Sequence, residues 1–319
     1  MKYSYLVWML FSGVAFFSSC RQSEKEEVES NKFPLSIVAR IGTIPIPKAT
    51  RYVTGNVVGT AHFDQSDAIG VFTDKADLLE WNYGIEWSPT SSVYWPDKDG
   101  QHDFHAFYPY NKSASWDRVP MPSLKDQKGT LESIAKCDFM VAVTRQSYSS
   151  NKGEVDFVGT EHCFKHKSCV VSLKIENSGA LNGAILNKVS IGAKGLLTES
   201  VYSFDDNTVT FTEVPVDDVL DLNLGTKLTI DDVFVYFILN PKEDKVPVFL
   251  TLSYTFDGKS YTAKTDNFTT KEFQSGHWYD CIVQVRDGKL ILVGGEVSSW
   301  DTSEPLDDVI IDGKEDSHE

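Results

Sequence analysis

VFLTLSYTFDGKSYTA, residues 248–263, alternates apolar and polar side chains at period two, with Phe249 the exception. Val248, Leu250, Leu252, Tyr254 and Phe256 share one face, with Thr251, Ser253 and Thr255 among those opposite. Alternate residues of a strand point to opposite faces, so this stretch predicts a half-buried β-strand. Asp257-Gly258 then supplies the dipeptide favoured where both central residues of a two-residue turn need positive φ, and Tyr261 and Ala263 resume the alternation. A second hairpin reads the same way: Cys281 to Arg286, Asp287-Gly288, then Leu290 to Val293. Asp99-Gly100 and Asn182-Gly183 punctuate the chain similarly, and no capped helical period outlasts two turns. Leu131 to Ala135 is read as one short helical turn. An all-β sandwich architecture follows from short strands and frequent turns.

Working toward the N-terminus, the pattern changes in kind. Lys2 precedes Tyr5 to Phe17, which is apolar except for Ser12 and Gly13. This run is shorter than the roughly 20 residues that span a bilayer, and it fits the short core of a secretory signal. Ser18, Ser19 and Cys20 follow, an arrangement that resembles a lipobox, in which the cut precedes a lipid-bearing cysteine. Phe17 departs from the leucine usual at the third position before such a cut. The reading is therefore a signal peptide over 1–19 and lipid attachment at Cys20, set against an ordinary signal with a coincidental cysteine. Residues 20–32 carry Glu24, Glu26, Glu27 and Glu29 and bury too little to order themselves, which marks a flexible acidic tether. No other run is long and apolar enough to cross a bilayer as a helix; the longest, Val233 to Leu239, has seven residues.

Composition excludes some partners. Removing residues 1–19 leaves 300 residues and takes away only Lys2 among the charges, so −16 becomes −17. Such a surface repels phosphate backbones and anionic membranes, and no nucleic-acid partner is expected. Length favours two domains. The polar stretch Ser147 to Gly153 separates an aromatic-rich first half from a second half rich in Val, Leu and Ile, so the boundary is set near residue 160. The expected division is 33–160, 161–300 and an acidic tail, 301–319. Cys137, Cys163, Cys169 and Cys281 are too sparse for a disulfide-built scaffold and are read as free and buried.

Three constellations could carry chemistry. His162, Cys163, His166 and Cys169 suggest a metal site, but on one strand 162 and 166 face away from 163 and 169. A break in that strand would restore the possibility. Asp97, Asp99 and Asp103 hint at Ca²⁺, yet lack the third acid and distal glutamate of a calcium loop; a hairpin turn with solvated carboxylates is the plainer reading. No G-x-S-x-G, H-E-x-x-H, P-loop or dinucleotide glycine fingerprint is present, and no particular pair of carboxylates stands out for hydrolysis. No catalytic residue, metal or cofactor is assigned, and the chain is read as a non-enzyme. Trp95 and Phe107 are read as core residues in preference to a sugar-stacking platform.

Several landmarks, in order, resemble one family. They are KATR at Lys48 to Arg51, AIGVF at Ala68 to Phe72, SVYWP at Ser92 to Pro96 and HDFHAFYPY at His102 to Tyr110. DFMVA at Asp138 to Ala142, Phe164-Lys165-His166, HWYDCIVQV at His277 to Val285 and Trp300 follow. Together they resemble the fimbrillin-like lipoproteins of Bacteroides and relatives, in the type V pilin group. The resemblance implies two successive antiparallel Greek-key β-sandwich domains of transthyretin type. It also implies a palmitate-bearing lipoprotein on the outer membrane surface and a structural or adhesive role in a fimbria. The implied partners are other fimbrial subunits or the chain itself, the outer membrane through the lipid, and a host or bacterial surface ligand. The acidic run after Cys20 is similar to the family's surface-export signal, though a solvated spacer accounts for it equally. A surface glycan-binding lipoprotein that does not polymerise is the alternative, motivated by the 12% aromatic content.

The resemblance also marks an assembly route. Leu35 to Ile41 reads as a first strand, with Leu35, Ile37 and Ala39 on one face. Pro45 and Pro47 break the stretch that follows, which should form an exposed loop ending at Arg51. Family pilins are similarly cut after an arginine, so Arg51 is the candidate maturation site. Loss of the first strand would open an apolar groove, and Leu306, Val309, Ile310 and Ile311 form the candidate donor strand to fill one. A solvated arginine and a disordered acidic end are the plain readings of the same residues.

Overall fold

The computed structural model describes residues 32–42, 62–176, 181–229, 232–242, 246–269, 272–286 and 289–299. Strands dominate. The front of the chain supplies β1 (Phe33–Pro34), β2 (Ser36–Ala39), β3 (Ala68–Thr73), β4 (Leu79–Tyr83), β5 (Trp87–Pro89) and β6 (Tyr94–Trp95). It continues with β7 (His102–Tyr108), β8 (Val119–Pro120), α1 (Leu131–Ala135), β9 (Met140–Gln146), α2 (Tyr148–Asn151), β10 (Glu154–Phe157) and β11 (Lys165–His166). The back supplies β12 (Cys169–Glu176), β13 (Ile185–Lys194), β14 (Ser200–Ser203), β15 (Thr208–Phe211) and β16 (Asp217–Lys227). Then come β17 (Val233–Leu239), β18 (Val248–Phe256), β19 (Lys259–Thr269), β20 (His277–Arg286) and β21 (Lys289–Ser299).

The 248–263 stretch forms the hairpin its pattern predicts. β18 and β19 pair Phe256 with Lys259, Tyr254 with Tyr261 and Leu252 with Ala263, and the linking Asp257 and Gly258 take φ of 48° and 72°. These are the positive values that a two-residue turn between twisted strands requires. β20 and β21 likewise pair Arg286 with Lys289; Asp287-Gly288 between them lie outside the described residues, as does Trp300. The back half is a sandwich of two four-stranded sheets, β17-β12-β20-β21 and β16-β13-β18-β19. The chain switches sheets between β12 and β13, β16 and β17, β17 and β18, and β19 and β20, a Greek-key path of transthyretin type. Leu173, Val189, Leu250, Phe237 and Val283 fill the space between the sheets, all fully buried.

In the front half a six-stranded antiparallel sheet, β11-β9-β7-β3-β4-β5, is buried on both faces. Phe104 and Ala106 of β7 enter one core with Ile69, Trp81, Trp95 and Phe164. Phe107 enters another with Phe72, Phe139, Tyr202 and Phe204. The first core is covered by the β1–β6 and β2–β10 pairs. The second is covered by a three-stranded sheet, β15-β14-β8, whose strands come from both halves of the chain.

Among the described residues, helical content is confined to single turns. Thr130 and Ser133 form a reciprocal cap on α1, where the short turn was expected. The polar stretch from Ser147, read from sequence as a divider, is also ordered: Ser147 and Ser150 cap α2, and Lys152 ends it in the left-handed conformation.

Candidate assembly site around the first strand

Leu35, Ile37 and Ile41 are buried in the first core while Ser36 is exposed, so the period-two reading of this segment holds in space. Its neighbours were not foreseen. β2 pairs with β10 in parallel, Ser36 to Glu154 through Ala39 to Phe157, and among the described residues it pairs with no other strand. Backbone bonds extend the attachment at both ends. Leu35 N–H donates to Val93 O at 3.1 Å and Ser36 N–H to Gly153 O at 3.1 Å. Farther on, Arg40 N–H donates to Phe157 O at 3.2 Å, and Gly42 N–H to Phe164 O at 2.9 Å. Gly153 O also accepts from the Trp95 indole at 2.9 Å, which locks the neighbouring β6 to the same point. Parallel partners lie far apart in sequence and leave no turn signal between them, so periodicity alone could not find β10.

This segment closes a core. Full burial of each of Leu35, Ile37 and Ile41 is worth about 1.5–3 kcal/mol. Its removal would bare Val155, Phe157 and Phe164 together with the open edge of β10. Such a cleft is suited to an extended strand with apolar side chains at alternate positions. Cys20, Arg51, Leu306, Val309, Ile310 and Ile311 all lie outside the described residues.

The remaining candidates separate. β11 and β12 are interrupted at Lys167 and Ser168, yet the four suspected metal ligands do not converge. His166 Nδ1 lies 2.7 Å from Asp138 Oδ2 in a buried pair, and His162 Nδ1 lies 3.2 Å from Val143 O. Cys169 Sγ donates to Leu239 O at 3.4 Å. Among the described residues no group of three or more His, Cys, Asp and Glu side chains is placed to hold a metal ion. All four described cysteines are free and buried, and burial pushes the thiols of Cys169 and Cys281 well up. Asp97 caps its own turn, accepting from Gly100 N–H and Asp99 N–H, and the Gly100 amide foremost holds its carboxyl below the usual range. Trp95 and Phe107 are buried, so neither can stack on a sugar. No helix of the described residues is long and apolar enough to cross a membrane.

These features define an all-β protein of two sandwich-like bodies with a strand-closed core at its front. The chain belongs to the fimbrillin-like family, whose model matches residues 50–300. Three solved structures from Bacteroides share the fold. A candidate cell adhesion protein from Bacteroides uniformis superposes with a TM-score of 0.56 at 18% identity, covering 84% of this chain and 99% of that one. One from Bacteroides ovatus gives 0.61 at 16% identity, covering 84% and 98%. One from Bacteroides fragilis gives 0.51 at 10% identity, covering 85% and 98%. No curated protein matches the sequence.

Proposed function

We propose that the chain is a cell-surface subunit of a type V fimbria, structural or adhesive and without enzymatic activity, held to the outer membrane through a lipid on Cys20. Signal residues 1–19 are removed, residues 20–32 tether the body, and sandwich domains over 33–160 and 161–300 precede the tail 301–319. The lipid holds the chain at the membrane until maturation; cutting after Arg51 then releases the first strand together with residues 20–32 and their anchor. A donor strand containing Leu306, Val309, Ile310 and Ile311 from the next subunit then fills the vacated cleft.

The fimbrillin-like match over residues 50–300 carries this reading, and it begins beyond the first strand. Among the described residues β1 pairs only with β6 and β2 only with β10, which supports it, because strands with one neighbour each can leave without tearing a larger sheet. Arg51→Ala should accumulate uncut monomer, and deleting residues 306–319 should stop polymerisation without unfolding the body. Heat-stable ladders on a gel that persist in both variants would overturn the model. Cys20→Ala should lose a clickable fatty-acid label, and a labelled alanine variant would remove the anchor from the proposal.

A further inference from the structure

Four of the apolar side chains this fold leaves most open fall between residues 211 and 219. Phe211 is 39% exposed, Val214 81%, Val216 60% and Val219 51%. Scattered apolar side chains on a surface need no explanation, but a contiguous group marks an interaction site. Phe211 and Pro215 lie against Gly195 at the end of β13. Val219 sits opposite Gly192, and the Phe249 ring lies over Gly192 where a side chain would otherwise stand. An apolar strip therefore crosses the outer face from β16 over β13 to β18.

The strip ends at an open edge. Among the described residues β16 pairs with β13 alone, and no backbone hydrogen bond leaves Asp217–Lys227 for any other segment. Exposed edges invite strand addition unless charge guards them. The outward face of β16 reads Asp217, Val219, Asp221, Asn223. Asp221 is engaged within the sheet by Lys188 at 3.0 Å and Ser190 at 2.6 Å, and Asp217 stands opposite Lys194 in register. Exposed Glu213 adds a further negative charge to the shelf.

This pattern selects its occupant. A second copy adding antiparallel about Val219 would set Asp217 against Asp221 of its mate twice over, and like charges directly opposite destabilise a pair. The acidic segment Leu306 to Asp312 would meet the same repulsion. A strand with the inverse pattern, cationic at two alternate positions around an apolar one, would pair its charges with both aspartates and its apolar side chain with Val219. We propose that β16 and the Phe211–Val219 shelf form a docking edge for such a basic, extended strand of another protein, extending the β16-β13-β18-β19 sheet.

The test uses the full chain with two synthetic peptides in excess, TKTVTKT and TETVTET, read by NMR and amide hydrogen exchange. TKTVTKT should protect amides of β16 and lose affinity as salt is raised. TETVTET should not bind there. Val219→Lys, at an exposed position that leaves the core untouched, should weaken TKTVTKT by up to about fivefold, the size of one lost cross-strand pair. Asp217→Lys should narrow or reverse the preference between the peptides. Equal binding of both peptides, or protection falling outside β16, would overturn the proposal. So would self-association in sedimentation that Val219→Lys abolishes, since the edge would then belong to a second copy.

Discussion

Gly153 is the residue on which the first strand hangs. Its φ is +91°, and an added Cβ would lie 2.8 Å from the Tyr148 ring and 3.1 Å from Pro34 O. Its carbonyl receives both Ser36 N–H and the Trp95 indole. Gly153→Ala therefore strains the backbone and also pushes apart the groups that seat β1 and β2. Gly183 makes a fair control, since its φ is +90° but an added Cβ would meet nothing within 4 Å. Gly183→Ala should cost about 1 kcal/mol, the left-handed penalty alone. Gly153→Ala should cost about 1–3 kcal/mol more. Urea midpoints measure the difference, and faster exchange of the Ser36 amide in Gly153→Ala alone would locate the damage. Equal midpoints would show that the first strand does not depend on this point.

At the scale of elements, β17 has an edge finished by a side chain. Gln127 Nε2 donates to Ile238 O at 2.7 Å and to Leu124 O at 2.7 Å, while its Oε1 accepts from Ile238 N–H at 2.8 Å. The amide group thus stands in for one residue of a neighbouring strand. Gln127→Ala leaves both buried backbone groups of Ile238 without partners, at a cost of about 2–5 kcal/mol. The Ile238 amide should lose its exchange protection first, and unchanged protection would show that another group covers the edge. Nothing in the sequence around Gln127 announces this role, because it rests on contact between residues more than a hundred positions apart. The β18–β19 hairpin was legible for the opposite reason: its alternation and its turn chemistry are both local. Likewise α1 was visible as a short turn, whereas α2 was hidden by serines that equally suit a loop. The burial of Leu35 and Ile37 followed from period two, but the identity of β10 as their partner did not.

For the whole molecule, the question is whether the back sandwich can stand without the front. Its core draws Leu124, Ile134 and Cys137 from the segment before β9, and Gly129 O accepts from Tyr236 N–H at 3.0 Å. In return β14 pairs Tyr202 with Val119 and Val201 with Pro120 of β8, and Phe204 packs beside Phe72 and Trp116. Asp205 fastens the same seam, 2.8 Å from both Lys75 Nζ and the Trp116 indole. A fragment of residues 161–299 would lack the strap over β17 and expose one face of β14. The lost burial of Leu124 and Ile134 alone amounts to about 3–6 kcal/mol, comparable to the net stability of a typical domain. The fragment should accordingly melt broadly or bind a hydrophobic dye in isolation. Adding a peptide of residues 118–138 in trans should restore a cooperative transition, because that peptide carries Gln127, Leu124, Ile134 and the β8 pairing together. The intact chain should unfold in one step, with tryptophan fluorescence and far-ultraviolet dichroism superimposing, since Trp81, Trp87 and Trp95 report the front and Trp278 the back. Two resolved transitions in the intact chain, or a fragment that melts sharply without the peptide, would show that the exchanged segments decorate the sandwiches without coupling them.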